Sequence, residues 1–175
     1  MQISQFTIRM KALDFYVLLG LVAFPPGDDW TQAELAARLH VDPSSLTRSL
    51  QRLGRASLWD KARRRVDARG AEELIVHGIR YLLPVDVGAP SRGVPTAHSA
   101  APLNEHIASN VAYVWPDDRG AATGLTVAPI HPTAPRAATE SPELHALLAL
   151  VDALRIGRVR ERALAVKELH ARFAR

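Results

Sequence analysis

Cysteine is missing from this chain of 175 residues. Its absence excludes disulfide bonds, thiolate zinc sites and cysteine nucleophiles. A membrane-spanning run is missing too, because the apolar stretch at residues 15–24 is too short to cross a bilayer. The first residues contain no uninterrupted apolar segment followed by a cleavage site. We therefore expect a cytoplasmic protein without a membrane partner.

Enzyme signatures are also lacking. The chain contains no phosphate-binding G-x-x-x-x-G-K-[ST], no G-x-G-x-x-G after a strand, no G-x-S-x-G and no H-E-x-x-H. His98, His106 and His131 share a region, but they have neither the spacing of metal ligands nor a nearby group of carboxylates. Hydrogen-bonded loop histidines are the simpler interpretation. We expect neither an enzyme nor a cofactor nor a metal site.

The most informative stretch that is present lies at residues 31–53, which predicts two short helices joined by a tight turn. Thr31 and Glu34 have the spacing of a capping box, so a helix should begin at Thr31. Asp42 followed by Pro43 should begin the second helix, because aspartate caps well and proline is tolerated at the first helical position. The apolar face of this second helix, which should pack in the core, consists of Leu46, Leu50 and Leu53.

The opposite face of the second helix carries polar and basic side chains without an acidic one. An ordinary solvated face usually mixes both signs of charge, whereas these groups suit base edges and phosphates. The residues predicted to contact bases or the groove of DNA are Ser44, Ser45, Thr47, Arg48, Gln51 and Arg52. The residues predicted to contact the DNA backbone are Thr31, Arg55, Lys61, Arg63, Arg64 and Arg65.

Positive charge is concentrated around this face. Residues 44–69 contain eight basic and two acidic side chains, a net charge of +6, whereas the whole chain carries +4. The remainder holds 14 basic and 16 acidic residues and is therefore slightly acidic. A charge run is often only a solvated surface, but beside this motif it favours attraction to phosphates and a steep salt dependence.

The pattern LAARLHVDPSSLTRSLQRL resembles the winged helix-turn-helix of bacterial transcriptional regulators, of the MarR-like and related repressor kind. The resemblance covers residues 10–83, under half of the chain. It implies a second helix that enters the major groove of double-stranded DNA, and a dimer that matches a two-fold site. His40 departs from the pattern, because many of these regulators carry glycine at the turn.

Further elements are expected around the motif. An apolar helix at residues 7–24 should precede it and end at Pro25, Pro26 and Gly27. The two strands of a wing are not clear after Leu53; residues 66–77 predict a helix instead, and residues 81–83 a strand. The middle of the chain is less regular, and prolines and glycines exclude a helix at residues 85–95.

A β-hairpin is expected within this middle segment. Residues 111–114 and 124–130 are rich in β-forming side chains, and Asp118, Arg119 and Gly120 between them have the chemistry of a turn. The hairpin would be either a displaced wing or part of a small sensing module.

The C-terminal segment should be helical. Ser141, Pro142 and Glu143 have the pattern of a helix start. An apolar stripe then continues through Leu144, Leu147, Leu148, Val151 and Leu154. The stripe would either cover the N-terminal core or join two copies of the chain, and we favour dimerisation because a stripe this long on a small protein needs a partner surface.

These patterns predict a mainly α-helical fold with a small β component. We divide it into a helix-turn-helix DNA-binding domain at residues 1–83, a Pro/Gly-rich segment at 84–140 and a helical element at 141–175. The function we predict is that of a sequence-specific DNA-binding regulator, a dimeric repressor. The alternative is an antitoxin or adaptor whose C-terminal helices bind a partner protein. A ligand-responsive repressor is a third hypothesis, although no polar cluster in the middle segment names a ligand.

Overall fold

Helices and short strands alternate along the chain in the computed structural model, which describes residues 9–24 and 30–174. The helices in the described part are α1 (Ala12–Ala23), α2 (Gln32–Arg38), α3 (Pro43–Arg55), α4 (Ala68–Leu82), α5 (Ala134–Glu140), α6 (Pro142–Ile156) and α7 (Val159–Phe173). The strands are β1 (Trp59–Asp60), β2 (Arg65–Val66), β3 (Val87–Pro95), β4 (Tyr113–Pro116) and β5 (Ala122–Val127). Helices, including two single-turn 3-10 helices at Ala97–Ser99 and Leu103–Glu105, hold 56% and strands 14% of the residues that the structure describes, which confirms a mainly helical protein with a small β component.

Helix α1 forms part of the centre of the core. Its residues from Phe15 to Leu19 are all buried, because nearly every position of this helix is apolar. The helix begins later than predicted, after Lys11, whose backbone N–H donates to the Asp14 carboxylate at 2.8 Å. Residues 7 and 8, and the predicted Pro25, Pro26 and Gly27 stop, lie outside the described residues.

Helices α2 and α3 begin as their capping patterns predict. The Thr31 hydroxyl accepts from the N–H of Glu34, and the Glu34 carboxylate accepts from the N–H of Thr31. The Asp42 carboxylate accepts from the N–H groups of Ser44 and Ser45, at 2.9 and 3.2 Å. The apolar face of α3 packs inward as predicted, with Leu46, Leu50 and Leu53 buried.

A short antiparallel hairpin follows α3. Trp59 of β1 pairs with Val66 of β2, and Asp60 pairs with Arg65, so residues 61–64 form the loop. The prediction of a helix at residues 66–77 was therefore wrong at its start, because Val66 belongs to a strand and α4 begins at Ala68. Each strand has only two residues, too few for the alternation that marks a strand in sequence.

Helix α4 also continues further than expected. The predicted strand at residues 81–83 was wrong, because Tyr81 and Leu82 form the last turn of α4 and Leu83 is its C-cap. A run of apolar residues this short has no period of its own, so sequence could not distinguish a strand from a helix end.

The three remaining strands close into a small barrel. Strand β3 pairs antiparallel with β4 on one side and with β5 on the other, while β4 and β5 pair in parallel. The predicted antiparallel hairpin between residues 111–114 and 124–130 was therefore wrong. Its turn chemistry was sound, since the N–H of Gly120 donates to the carbonyl of Asp117 at 2.9 Å. The error came from β3, because its prolines and glycines indicated a loop. In the structure β3 is a strand, and it is the antiparallel partner of both β4 and β5.

Helix α6 lies against four other helices, α1, α4, α5 and α7. The stripe predicted for dimerisation faces this interior: Leu144, Leu147, Leu148, Val151 and Leu154 are all at most 3% exposed. The stripe is therefore part of the chain's own core, and its prediction as a dimer interface is corrected. Its start is as predicted, with the Ser141 hydroxyl accepting from the N–H of Leu144 at 3.3 Å.

A buried carboxylate links the barrel to α6. Asp152 is 1% exposed, and its Oδ2 accepts from the hydroxyl of Thr96 at 2.8 Å and from the indole of Trp115 at 2.6 Å. Its Oδ1 accepts from Arg155 at 2.7 Å, and Arg155 also donates to the carbonyl of Leu83 at the end of α4. All three predicted segments thus contribute to one core, which the same hydrophobic cluster fills. In the described residues, none of the helices combines the length and apolar character needed to cross a membrane.

The buried Tyr16 of α1 should make stability fall at alkaline pH. Burial raises the pKa of Tyr16 to about 12 from 10.0. Between these pH values the unfolded chain loses this proton while the folded chain keeps it, so the free energy of unfolding should fall by about 2 to 3 kcal/mol. Chemical denaturation from pH 9 to 12 measures this. Tyr16→Phe should remove the fall, whereas Tyr81→Phe, at a residue that is 72% exposed, should keep it. A Tyr16→Phe profile identical to that of the wild type would contradict the assignment.

Candidate nucleic-acid interface

One face of α3 is exposed and carries no acidic side chain. Ser44, Thr47, Arg48, Gln51 and Arg55 are exposed along it, and Ser45 is half-buried. The leucines of the same helix are buried on the other side, so packing against the core fixes which side chains point outward. Five of the six residues predicted to contact bases or the groove thus share one accessible face; Arg52 is the exception.

The N-terminal end of this face is a connected set of hydrogen bonds. The Ser44 hydroxyl donates to Asp42 at 2.7 Å and accepts from Arg48 at 3.1 Å. The hydrogen bond from the Ser44 hydroxyl and the N–H of Ser45 lower the pKa of Asp42, so this cap remains ionised. The guanidinium of Arg48 lies beside it and offsets part of its negative charge, and only Nη2 of Arg48 is used in these contacts among the described residues.

Helix α2 adds a polar residue to the same face. The Thr47 hydroxyl lies 3.0 Å from the carbonyl of Pro43 and 3.3 Å from the amide oxygen of Gln32. Gln32 is exposed at the first position of α2. The sequence analysis did not include Gln32 among the predicted DNA contacts. Its position directly after Thr31, the N-cap of α2, is a signal that could have identified it.

The hairpin approaches α3 from the side. A cleft of about 170 Å³ lies between them, lined by Gln32, Thr47, Leu50, Gln51, Gly54, Trp59 and Lys61. Arg63 and Arg65 are exposed on the same hairpin, and the N–H of Arg63 donates to Asp60 at 3.0 Å. The structure therefore brings residues of α2, α3 and the hairpin together around one concave surface.

Arg52 is not part of this surface. Its Nε and Nη2 donate to the two carboxylate oxygens of Asp14, at 2.8 and 2.7 Å, and the Ser49 hydroxyl donates to the same carboxylate at 2.7 Å. Asp14 is fully buried, and its hydrogen bonds raise the pKa of Arg52, which stays charged. The prediction that Arg52 contacts bases is corrected, because its guanidinium is engaged in joining α3 to α1.

Arg64 is also engaged within the chain. Its guanidinium lies over the ring of Trp30, 4.8 Å from the ring centroid, and donates to the Trp30 carbonyl. Trp30 in turn stacks on Trp59, with ring centroids 6.3 Å apart. Arg64 therefore links the hairpin loop to the start of α2, and because its side chain is still partly exposed, its DNA backbone contact stays a prediction.

The remaining backbone candidates keep accessible side chains. Arg55, Lys61, Arg63 and Arg65 are exposed, and Thr31 is exposed at the N-cap of α2. A second cleft, of about 240 Å³, brings Thr31 together with Gln32 and Lys61. The hydroxyl of Thr31 is already bonded to the N–H of Glu34, so any further contact uses its remaining capacity.

His98, His106 and His131, which the sequence analysis considered together, have different surroundings. The Nε2 of His98 lies 2.9 Å from the carbonyl of Val111, and His131 stacks on Tyr16. Burial lowers the pKa of His131, whereas His106 is exposed. Within residues 9–24 and 30–174, no group of three or more His, Asp or Glu side chains could hold a metal ion.

No family model, curated protein or solved structure matches this chain. Its function therefore has to be inferred from its own residues and their arrangement.

Proposed function

We propose that this protein binds double-stranded DNA sequence-specifically and regulates transcription. In this proposal α2 and α3 form a helix-turn-helix, α3 enters the major groove, and the β1–β2 hairpin serves as a short wing. The observation that carries it is the concave surface on which the acid-free face of α3, the N-terminus of α2 and the basic hairpin meet. Repression is the simplest result of occupying a promoter.

The exposed side chains of α3 have the chemistry to read bases. Arginine suits the acceptors of guanine, and glutamine suits the donor and acceptor of adenine. Arg48 and Gln51 are exposed on adjacent positions of the face, with Ser44, Ser45 and Thr47 beside them. In the major groove we assign base reading to Arg48 and Gln51 and nearby contacts to the hydroxyls.

The basic side chains flanking the face have the chemistry to hold phosphates. Arg55, Lys61, Arg63 and Arg65 are exposed and occur within the chain's most basic stretch. If each neutralises one phosphate, the logarithm of the binding constant should fall with the logarithm of salt concentration with a slope of about −3 to −4.

Selection from a library of random duplexes tests the proposal directly. The purified chain should enrich one sequence motif, and the enriched duplex should compete better than an unrelated duplex in titrations at two salt concentrations. Enrichment of no motif, with equally weak binding of both duplexes that vanishes as salt rises, would reduce the basic stretch to a charged patch and reject sequence-specific binding.

Arg48→Ala should weaken binding to the selected duplex by about 1 to 3 kcal/mol, because one bidentate base contact is lost. Binding to the unrelated duplex should change much less, and the preference at one base pair should relax. Arg160→Ala on α7 makes the same change of charge at an exposed position outside the face and should leave base preference intact. If Arg48→Ala kept the wild-type motif at full affinity, Arg48 would not read bases.

The antitoxin or adaptor alternative depended on the C-terminal apolar stripe. That stripe is buried against the chain's own helices, so it presents no surface to a partner protein. We therefore do not propose the alternative. The dimer likewise has no interface among those five residues, and a second copy on DNA would have to use other surfaces.

A further inference from the structure

The carbonyl of Leu39 lies in the turn between α2 and α3 and accepts hydrogen bonds from side chains outside the two helices. The N–H of His40 donates to Ala37 and that of Val41 to Ala36, at 3.1 and 3.0 Å, which is a helix end with His40 in the left-handed region at φ 51°. These bonds satisfy two of the last carbonyls of α2. The carbonyl of Leu39, which follows α2, is satisfied by side chains from elsewhere in the chain.

The donors to Leu39 come from α1 and from the segment before α5. The Tyr16 hydroxyl donates to this carbonyl at 3.0 Å, and the Thr133 hydroxyl donates at 2.9 Å across 94 residues of sequence. Thr133 is the N-cap of α5, yet its side chain makes no capping bond to that helix. Its hydroxyl also lies 2.8 Å from Nδ1 of His131, so it joins the turn between α2 and α3 to the segment before α5 and does not cap its own helix.

The other end of α5 contacts the same turn. Nε2 of His40 donates to the Glu140 carboxylate at 2.9 Å, and Arg136, one turn earlier, lies 3.8 Å from the second oxygen of Glu140. His131 stacks on Tyr16 with ring centroids 5.1 Å apart. Both ends of this seven-residue helix thus contact the backbone or side chain of two consecutive turn residues.

We propose that Thr133 and Glu140 are positioning residues for the DNA-reading helix α3. Only residues 39–42 separate α2 from α3, so fixing Leu39 and His40 fixes the direction in which α3 leaves the turn. Helix α5 follows β5 of the barrel, and it therefore links the barrel to the DNA-reading face. This inference rests on the proposed function and identifies what holds its reading helix in place.

Thr133→Val tests the contact, because it removes the hydroxyl and keeps the shape of the side chain. Thr133→Ser retains the hydroxyl. Thr139→Val is a matched control on α5, because among the described residues the Thr139 hydroxyl bonds only to the carbonyl of Arg136 in its own helix. The first readout is hydrogen exchange of the His40 and Val41 amides compared with amides of α7. The second is affinity for the selected duplex and for an unrelated duplex.

Thr133→Val should speed exchange of the His40 and Val41 amides about three- to tenfold, the factor expected for one net hydrogen bond, without changing α7. Affinity for the selected duplex should fall by a similar factor, while affinity for the unrelated duplex stays unchanged. Thr133→Ser and Thr139→Val should match the wild type. Glu140→Ala, at a half-exposed position, should act in the same direction and provides the test if Thr133→Val unfolds.

The outcomes separate the two proposals. Unchanged exchange at the turn in both Thr133→Val and Glu140→Ala would overturn the positioning role whether or not the protein binds DNA. Faster exchange with an unchanged preference for the selected duplex would overturn positioning and leave DNA binding standing. A wild-type chain that prefers no duplex would reject the proposed function, and with it the role of these residues in positioning a DNA reader, even where exchange shows that the contact exists.

Discussion

Arg52→Ala should lower the free energy of unfolding by about 3 kcal/mol, because it leaves a buried carboxylate without its counter-ion. Asp14 is fully buried, and Arg52 is the only cation that the structure pairs with it in the described residues. The Ser49 hydroxyl and the N–H of Lys11 would still donate to Asp14, which places the expected loss at the lower end of the range for broken buried pairs.

Urea denaturation of four variants, Arg52→Ala, Asp14→Ala, their double variant and Arg55→Ala, measures this effect. Arg55→Ala removes the same side chain from an exposed position of the same helix and should change stability by at most about 0.5 kcal/mol. The Asp14→Ala/Arg52→Ala double variant should lose less free energy of unfolding than the sum of the two single changes, because it leaves no buried charge unpaired. An Arg52→Ala protein as stable as the wild type, but with reduced affinity for DNA, would restore Arg52 to the base-reading group.

Arg52 also shows what local pattern cannot reveal. Its spacing from Leu46, Leu50 and Leu53 places it at the border of the buried face of α3. From spacing alone, it was predicted to point outward with the other polar residues. Its partner is 38 residues earlier in the sequence. A signal was present at that partner, because Asp14 is a lone carboxylate within an otherwise apolar helix and a buried charge requires an opposite charge.

Capping chemistry was the most reliable sequence signal in this chain. Thr31 with Glu34, Asp42 with Pro43, and Ser141 with Pro142 each mark a helix start that the structure confirms. These signals are local, since a cap is a bond between residues two or three positions apart. The outward face of α3 could be predicted for the same reason, because both its start and its period lie within one short segment.

Strand pairing depended on residues too far apart for such signals. The antiparallel partner of β4 and of β5 is β3, a strand with two prolines and two glycines, so composition indicated a loop. Gly93 lies where β3 meets both partners, and a Cβ there would overlap the carbonyl of Trp115. The glycine that discouraged a strand prediction is therefore what allows the close approach in the barrel.

The sequence analysis predicted an apolar stripe on one side of α6, whereas the helix is buried on all sides. Alanines as well as leucines are buried along it, among them Ala146, Ala149 and Ala153. A helix that is apolar on every side packs within a core, whereas a surface or interface helix keeps a polar face. The small residues were thus the sequence signal for a central helix, and counting only the large ones suggested an interface.

Leu147→Ala should lower the free energy of unfolding by about 2 to 5 kcal/mol, because it removes buried methyl groups and leaves a cavity in the core. Leu147 is fully buried in α6, where the chain's own helices surround it. Leu82→Ala makes the same substitution at a side chain that is 54% exposed and should change stability by at most about 0.5 kcal/mol.

Denaturation and sedimentation of the two variants separate a core role from an interface role. If Leu147 belongs to the core, Leu147→Ala should unfold at lower urea concentration while its folded form keeps the oligomeric state of the wild type. A stripe that joined two copies would give the opposite result, with a folded Leu147→Ala protein that dissociates and a monomer as stable as before. That result would mean that α6 exchanges its contacts within the chain for contacts with a second copy.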